Sequence, residues 1–187
     1  MKIRLADPEL QKDSIVDGDG LRAVLWTQGC SHNCKGCHNP QTHAFDEGFM
    51  VDVEVIKSQI DQLELQDGLT FSGGDPMFQA RACAEIASYA KSKGLNVWCY
   101  TGFTFEQLLQ LRKTNIAIEE FLRKIDVLVD GKFVLEQKSY DCLYRGSTNQ
   151  RILDVRKSLD CCKAVCITKY DQTIKEKPQF SRRRVFV

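Results

Sequence analysis

Three cysteines lie close together in this chain, and their spacing indicates a metal centre. Cys30, Cys34 and Cys37 are separated by three and then by two residues, so one short loop carries three thiolates. Thiolates are soft ligands that favour zinc or an iron–sulfur cluster over magnesium or calcium. The chemistry expected of this loop is therefore that of a metal bound by sulfur.

The identity of the metal depends on how many ligands are available. A structural zinc site takes four ligands, and His32, His38 or His43 could complete a set of three cysteines and one histidine. Structural zinc sites usually join two separated ligand pairs, and no second pair follows the cysteines at a matching distance. A [4Fe-4S] cluster held by three cysteines instead leaves one iron open for a small molecule. Spacing alone leaves both interpretations open.

The elements that must position this loop are predicted by hydrophobic periodicity, which alternates between strand and helix along the chain. Strands and helices are predicted in turn at residues 21–28, 52–63, 69–72, 77–93, 95–101, 104–111, 116–124 and 125–130. Repeated βα units imply a largely parallel sheet with right-handed crossovers. The chain has 187 residues, too few for an eightfold barrel of roughly 250 residues. The expected fold class is α/β, with a partial (βα)-type barrel and a mostly parallel sheet.

Ligand sites in such sheets lie at the carboxyl ends of the strands. The cysteine loop follows the first predicted strand, and residues 72–76, 100–102 and 130–132 follow the next three. These four loops are therefore expected to converge at one edge of the sheet.

The charge balance excludes a general affinity for polyanions. Lysine and arginine total 26 against 25 for aspartate and glutamate, a net charge of +1. The run Arg182-Arg183-Arg184 is the local exception, and a solvated tail is its ordinary explanation. No apolar stretch approaches the ~18–20 residues of a membrane span, and the N-terminus becomes acidic too early for a secretory signal. We expect a cytoplasmic protein with no nucleic acid or membrane partner.

One domain is expected over residues 1–187, because the chain shows no internal repeat and no linker rich in proline, glycine and serine. Its core is expected at about residues 15–155, followed by a C-terminal extension at about 156–187.

Nine cysteines in a reducing compartment favour metal chemistry or buried thiols over disulfides. Cys83 and Cys99 occupy core-facing positions of a predicted helix and strand, which indicates a structural role. A second group, Cys161, Cys162 and Cys166, could suggest another metal site. Adjacent cysteines rarely share one metal, so buried or incidental thiols are the favoured explanation. Cys142 has no assigned role.

The cysteine spacing resembles the cluster motif of the radical S-adenosylmethionine (radical SAM) superfamily. In that superfamily three cysteines hold a [4Fe-4S] cluster, and SAM chelates the fourth iron through its amino and carboxylate groups. Residues 73–76, Gly-Gly-Asp-Pro, are similar to the superfamily's Gly-Gly-Glu-Pro element, which binds the amino group of SAM. The two motifs occur in order, on successive predicted strand ends. The resemblance implies the radical SAM fold, with a [4Fe-4S] cluster and SAM as cofactors.

Further stretches resemble one branch of that superfamily, the activating enzymes of glycyl-radical proteins. They are DGDGLR at residues 17–22, QGC at 28–30 and CHN at 37–39. Within this branch, other stretches look like the family that activates anaerobic ribonucleoside-triphosphate reductase. They are SGGDP at residues 72–76, VLVDGKF at 127–133 and RGSTNQR at 145–151. Two departures are Gly36, where an aromatic residue is frequent, and Asp19, where proline is commoner.

This resemblance also implies a role for individual residues. Cys30, Cys34 and Cys37 would hold the cluster. The residues expected to bind SAM are Gly36, Cys37, His38, Gly73, Gly74, Asp75 and Asn149. Two alternatives remain for some of the polar loop residues: direct contact with SAM or the partner, or ordinary loop hydrogen bonds and surface ion pairs. These residues are Thr101, Asp130, Arg145, Asn149 and Arg151.

The resemblance implies a radical reaction on a partner protein. One electron from the reduced cluster would cleave SAM to methionine and a 5′-deoxyadenosyl radical, which would take an α-hydrogen from a glycine of the reductase. The partners implied are the reductase and a one-electron donor such as flavodoxin or ferredoxin. No catalytic side chain is required beyond the cluster and SAM.

Two other functions compete with this one. A small-molecule radical SAM enzyme, similar to 7-carboxy-7-deazaguanine synthase, would share the cluster motif and the size. A zinc-stabilised binding module that uses its basic tail on nucleic acid belongs to a different class. SAM cleavage triggered by a small molecule without any partner protein would favour the small-molecule enzyme. A colourless protein that contains one zinc and no iron would favour the binding module.

Overall fold

The computed structural model describes residues 1–170 of the 187 in the chain. The basic run Arg182-Arg183-Arg184 and the rest of residues 171–187 of the expected C-terminal extension lie outside these residues. Among the helices described, none is both long and apolar enough to cross a membrane.

An eight-stranded sheet forms the centre of the molecule. Its strands are β1 (Lys2–Leu5), β2 (Gln11–Ser14), β3 (Arg22–Thr27), β4 (Phe49–Asp52), β5 (Gly68–Gly73), β6 (Asn96–Tyr100), β7 (Val127–Asp130) and β8 (Arg151–Asp154). Their order is β4-β1-β3-β5-β6-β7-β8, and β2 pairs with β3 beside β1.

The four central strands, β3, β5, β6 and β7, are parallel, and Thr27 of β3 lies opposite Gly73 of β5. The flanking strands β1, β2, β4 and β8 all pair in the antiparallel direction. The α/β class with a partial barrel-type sheet and a parallel centre is therefore confirmed. The antiparallel borders were not predicted.

Four helices lie in the connections between the parallel strands, as βα units require. They are α1 (Val53–Ile60), α2 (Ala80–Ser92), α3 (Phe105–Leu111) and α4 (Ile116–Leu122), and a fifth helix, α5 (Val155–Cys161), follows β8. Two of them begin where the sequence predicts a cap. The side chain of Asp52 accepts a hydrogen bond from the N–H of Glu54, and Thr104 forms a complete capping box with Gln107.

Two predicted helices differ in detail from the structure. The helix predicted from residue 77 starts as a 3-10 helix, Pro76–Gln79, and becomes α2 only at Ala80. Pro76 fits the first helical position because its missing N–H would have no partner there. The helix predicted over residues 52–63 ends at Ile60, and Val55 is exposed although the prediction placed it on the buried face.

The sheet buries different side chains on its two faces. Val97 and Cys99 of β6 pack into the main core beneath the helices, whereas Trp98 packs on the opposite face in a smaller cluster with Tyr144 and Tyr170. This alternation is the period of two that a strand imposes. Both faces of the central strands are therefore covered, which explains their nearly continuous apolar sequences.

Cys83 and Cys99 are fully buried, and burial raises the pKa of both thiols. Cys161, Cys162 and Cys166 are exposed. Brief alkylation of the folded protein near neutral pH should therefore modify Cys161 and leave Cys83 and Cys99 intact until urea unfolds the chain. Peptide mass mapping before and after unfolding measures this difference. Equal labelling rates for Cys99 and Cys161 in the folded protein would contradict the burial.

Candidate functional site

The cysteine loop begins directly after β3 and is closed by backbone hydrogen bonds. The N–H of Gly29 donates to the carbonyl oxygen of Thr42 at 2.8 Å, and the N–H of Cys30 donates to that of His43 at 2.9 Å. Inside the loop, Gly36 has a φ of +74°, in the left-handed region that glycine enters without strain. The loop therefore turns back on itself and holds its three thiols on one short, closed segment.

The three cysteines line one cavity of about 750 Å³ at the carboxyl edge of the parallel strands. Its wall also includes residues from the loops that follow β5, β6 and β7, so the predicted convergence of four loops is confirmed. The predicted site residues found in this wall are Cys30, Cys34, Cys37, His38, Gly73 and Gly74.

Electrostatics at the thiols favour a metal over three free thiolates. Burial raises the pKa of Cys30, and the nearby negative charges of Asp75, Cys34 and Cys37 raise it further. Burial also raises the pKa of Cys34, against the opposing charge of Lys132. Because burial and neighbouring charges oppose ionisation of Cys30 and Cys34, a bound cation would favour the charged form of these two thiols.

The donor set at this site suits an iron–sulfur cluster. Three cysteine thiols line one shared cavity. A [4Fe-4S] cubane takes each cysteine at a different iron, so it requires thiols placed around a volume.

Gly73 and Gly74 lie at the end of β5, pressed against the end of β3. The φ of Gly73 is +97°, and a Cβ on this residue would lie 2.5 Å from the carbonyl oxygen of Thr27. A Cβ on Gly74 would lie 2.5 Å from the carbonyl oxygen of Gly29. Two hydrogen bonds fix this approach. The N–H of Gly74 donates to the carbonyl oxygen of Thr27 at 2.7 Å, and the N–H of Asp75 donates to the carbonyl oxygen of Gly29 at 2.9 Å. Only glycines let the two loops share this cavity wall.

Three residues predicted to bind SAM lie outside the cavity wall. They are Gly36, Asp75 and Asn149. Asp75 is 1% exposed, and its side chain caps the 3-10 helix at Met77. Asn149 donates from Nδ2 to the carbonyl oxygen of Lys132 at 2.8 Å, while its neighbour Gln150 reaches the cavity.

His38 marks where the long loop between β7 and β8 meets the cysteine loop. Its ring packs against Phe133 with centroids 4.8 Å apart. A Cβ on Gly146 would lie 2.7 Å from the imidazole, so a larger residue there would displace it. Arg145, Gly146 and Gln150 of the RGSTNQR segment, residues 145–151, line the same cavity as Gly73 and Gly74.

The other polar loop residues make contacts within the protein. Asp130 is 1% exposed and accepts hydrogen bonds from the N–H of Phe105 at 2.7 Å and from Nε of Arg151 at 3.0 Å. Arg151 also pairs with Glu106 at 2.7 Å. Arg145 donates from Nη1 to the carbonyl oxygen of Gln150 at 3.2 Å.

The sequence predicted that Tyr100 would lie at the site but did not predict its partner. Tyr100 ends β6 and donates from its hydroxyl to the carbonyl oxygen of Tyr144 at 2.9 Å, and both line the cavity. His32 and Cys142 line it as well. The position of His32 between two cysteines was a usable signal, whereas nothing in the local sequence marks Tyr144.

Removal of the Arg151 guanidinium should destabilise the fold. An Arg151→Met substitution leaves the buried carboxylate of Asp130 with one fewer cationic partner, an expected loss of about 2 kcal/mol once the one-third exposure of Arg151 is considered. Urea denaturation of the metal-free protein measures the change. Glu106→Gln is the matched control, because Glu106 is 57% exposed and its loss should cost under about 1 kcal/mol. Equal effects of the two substitutions would contradict this account.

Comparison with known proteins adds independent information on this site. The family model described as a 4Fe-4S single cluster domain matches residues 16–153. The anaerobic ribonucleoside-triphosphate reductase-activating protein of Vibrio cholerae is 36% identical over 146 residues, covering 74% of this chain and 90% of that protein. The proteins of the same name from Haemophilus influenzae and Enterobacteria phage T4 are each 33% identical, covering 74% and 73% of this chain and 90% and 86% of their own length.

A solved structure with partial likeness is that of QueE from Escherichia coli. It matches at a TM-score of 0.45 and 15% identity, over 56% of this chain and 54% of QueE.

The match of residues 16–153 covers the cysteine loop, the Gly-Gly-Asp-Pro turn and the loop between β7 and β8. The curated relatives match over nearly their whole length. The resemblance identified from these motifs is confirmed. The chain belongs to the family of anaerobic ribonucleoside-triphosphate reductase-activating proteins.

Proposed function

We propose that this protein activates an anaerobic ribonucleoside-triphosphate reductase by generating a glycyl radical on it. The observation that carries the proposal is a cavity lined by three cysteine thiols together with the glycines at the end of β5. When bound, a reduced [4Fe-4S] cluster with SAM supplies reductive cleavage of SAM and abstraction of a hydrogen atom from the partner's glycine. The chain itself holds and orients these groups.

Cys30, Cys34 and Cys37 would hold the cluster, with one iron left for SAM. The small backbone of Gly73 and Gly74 would let SAM approach the strand ends, and the exposed His38 lines the same cavity. Gly36, Asp75 and Asn149 lie outside this wall, so their contribution to SAM binding would be indirect or would need movement of the loops.

The loop between β7 and β8 would shield the reaction from water. It contributes Phe133, Leu143 and Tyr144 to the cavity wall, and the bond from Tyr100 anchors it to β6. A radical reaction needs this exclusion, because water and stray hydrogen donors would divert it.

The proposal includes the setting of the reaction. Residues 1–187 would act as one radical SAM domain in the cytoplasm, where the reductase and a one-electron donor such as flavodoxin or ferredoxin are found. Nucleic acid and membrane are not proposed as partners. Lys35, between two of the cysteines, and Lys132 are exposed beside the cluster loop and would favour an acidic electron donor.

Anaerobic reconstitution with iron and sulfide, followed by dithionite and SAM, tests the chemistry. The expected product is 5′-deoxyadenosine, and its absence with the cluster present would refute the mechanism. Addition of the candidate reductase should then produce the electron paramagnetic resonance signal of a glycyl radical. Cleavage of SAM triggered by a small molecule, without the reductase, would instead favour the small-molecule enzyme.

A further inference from the structure

The carboxylate of Asp75 is occupied by donors from the protein itself. Oδ1 accepts hydrogen bonds from the N–H of Met77 at 2.9 Å and from Oγ1 of Thr101 at 3.0 Å. Oδ2 accepts from the N–H of Gly102 at 3.0 Å and contacts Nε2 of His32 at 2.6 Å. A carboxylate has about four acceptor positions, so this side chain has little capacity left for a ligand.

His32 is the link from this carboxylate to the cysteine loop. It lies between Cys30 and Cys34 in the sequence, and its side chain is 8% exposed. Its ring packs edge-on against Phe103, with centroids 4.5 Å apart, and at a tilt against Phe78 at 5.9 Å. A surface-loop histidine would not be enclosed in this way, so the position of this ring is fixed by packing as well as by Asp75.

The loop after β6 is shaped to receive the same ring. A Cβ on Gly102 would lie 2.4 Å from Cδ2 and 2.7 Å from Cγ of His32, so the imidazole lies directly on the glycine backbone. Three strand-end loops therefore meet at one imidazole–carboxylate pair. The cysteine loop supplies His32, the loop after β5 supplies Asp75, and the loop after β6 supplies Thr101 and Gly102.

We propose that Asp75 is a positioning residue, which acts through His32 to fix the cysteine loop and does not itself bind the amino group of SAM. The inference rests on the proposed function, because it concerns how that cluster is held. Interactions that hold metal ligands in place strengthen metal retention, and the bond from His32 to Asp75 holds the loop that carries Cys30 and Cys34. The amino group of SAM is then left to the backbone of Gly73 and Gly74, which lines the cavity as Asp75 does not.

The test measures iron retention, without any SAM cleavage. Reconstituted His32→Leu and Asp75→Asn variants are each expected to lose iron to a chelator roughly 10- to 100-fold faster than the native protein. The double variant should be no worse than either single variant, because both changes break one interaction. His32→Gln keeps a side-chain donor and should restore most of the retention. The spectrum of the reduced cluster should change in His32→Leu and Asp75→Asn and should change less in His32→Gln.

Thr101→Val is the matched control, compared only for iron retention. It removes another hydrogen bond to Asp75 but leaves the bond from His32 to the carboxylate in place. The fold should lose stability, while the rate of iron loss should stay within about twofold of the native rate. This is well below the roughly 10- to 100-fold acceleration expected of His32→Leu. Equal acceleration by Thr101→Val and His32→Leu would show a general structural role and overturn the proposal.

Equilibrium binding of SAM separates the two roles of Asp75. A tenfold loss of SAM affinity in Asp75→Asn, with native iron retention in both Asp75→Asn and His32→Leu, would identify a direct ligand and overturn the proposal. A native protein that assembles no cluster would refute the proposed function instead. The two failures are therefore distinguishable.

Discussion

Replacement of Cys34 by serine is expected to reduce formation of 5′-deoxyadenosine by at least roughly 100-fold. The loss of a metal ligand exceeds the 10- to 100-fold effect that is typical of residues which only support a ligand. Cys34 lines the same cavity as Cys30 and Cys37, and no further cysteine of the loop can replace it. Iron and sulfide analysis, the cluster spectrum and the yield of 5′-deoxyadenosine measure the effect together.

Cys161→Ser is the matched control for this substitution. Cys161 is an exposed thiol at the end of α5 and does not line the cavity. Its replacement should leave both the iron content and the product yield at native levels. A Cys34→Ser variant with a full cluster and native yield would show that the cluster is held elsewhere.

Replacement of Gly73 by alanine is expected to lower the free energy of unfolding by about 4 kcal/mol. Two costs combine, since a non-glycine residue at a φ of +97° is strained and its Cβ would lie 2.5 Å from the backbone oxygen of Thr27. Neither strand end can yield without breaking the parallel register of β3 and β5. Urea denaturation of the metal-free protein, with circular dichroism as the signal, measures the loss.

Gly94→Ala separates the two costs. Gly94 has a φ of +83°, and no atom lies within 4 Å of the position that a Cβ would take. Its substitution should therefore show only the conformational cost, about 1 kcal/mol. Equal destabilisation at Gly73 and Gly94 would mean that the close approach of β3 and β5 contributes nothing.

The parallel centre of the fold could be predicted because its signals are local. Continuous apolar strands, the Asp52 cap and the capping box of Thr104 and Gln107 each appear within a few residues. The borders of the sheet lack such signals. β2, with the sequence Gln-Lys-Asp-Ser, is polar along most of its length, and it is a strand only because β3 lies beside it.

The candidate site divides in the same way. The cysteines and the glycine pair follow a recognisable spacing, so their shared cavity could be predicted. The partner of Asp75 could not, because His32 lies 43 residues away and the two meet only through the register of β3 and β5. The aromatic wall formed by Tyr100 and Tyr144 likewise depends on how the chain returns from β7 to β8.

The closed backbone of the cysteine loop has a thermodynamic consequence. The two hydrogen bonds that join Gly29 to Thr42 and Cys30 to His43 need no metal, and the buried hydroxyl of Thr42 adds a third bond, to the carbonyl oxygen of Asn39 at 2.8 Å. In many small metal-binding domains the metal must supply the free energy of folding. In this protein these hydrogen bonds offset part of the entropy of ordering the loop, so we expect more of the cluster's binding free energy to remain for holding the cluster against dissociation.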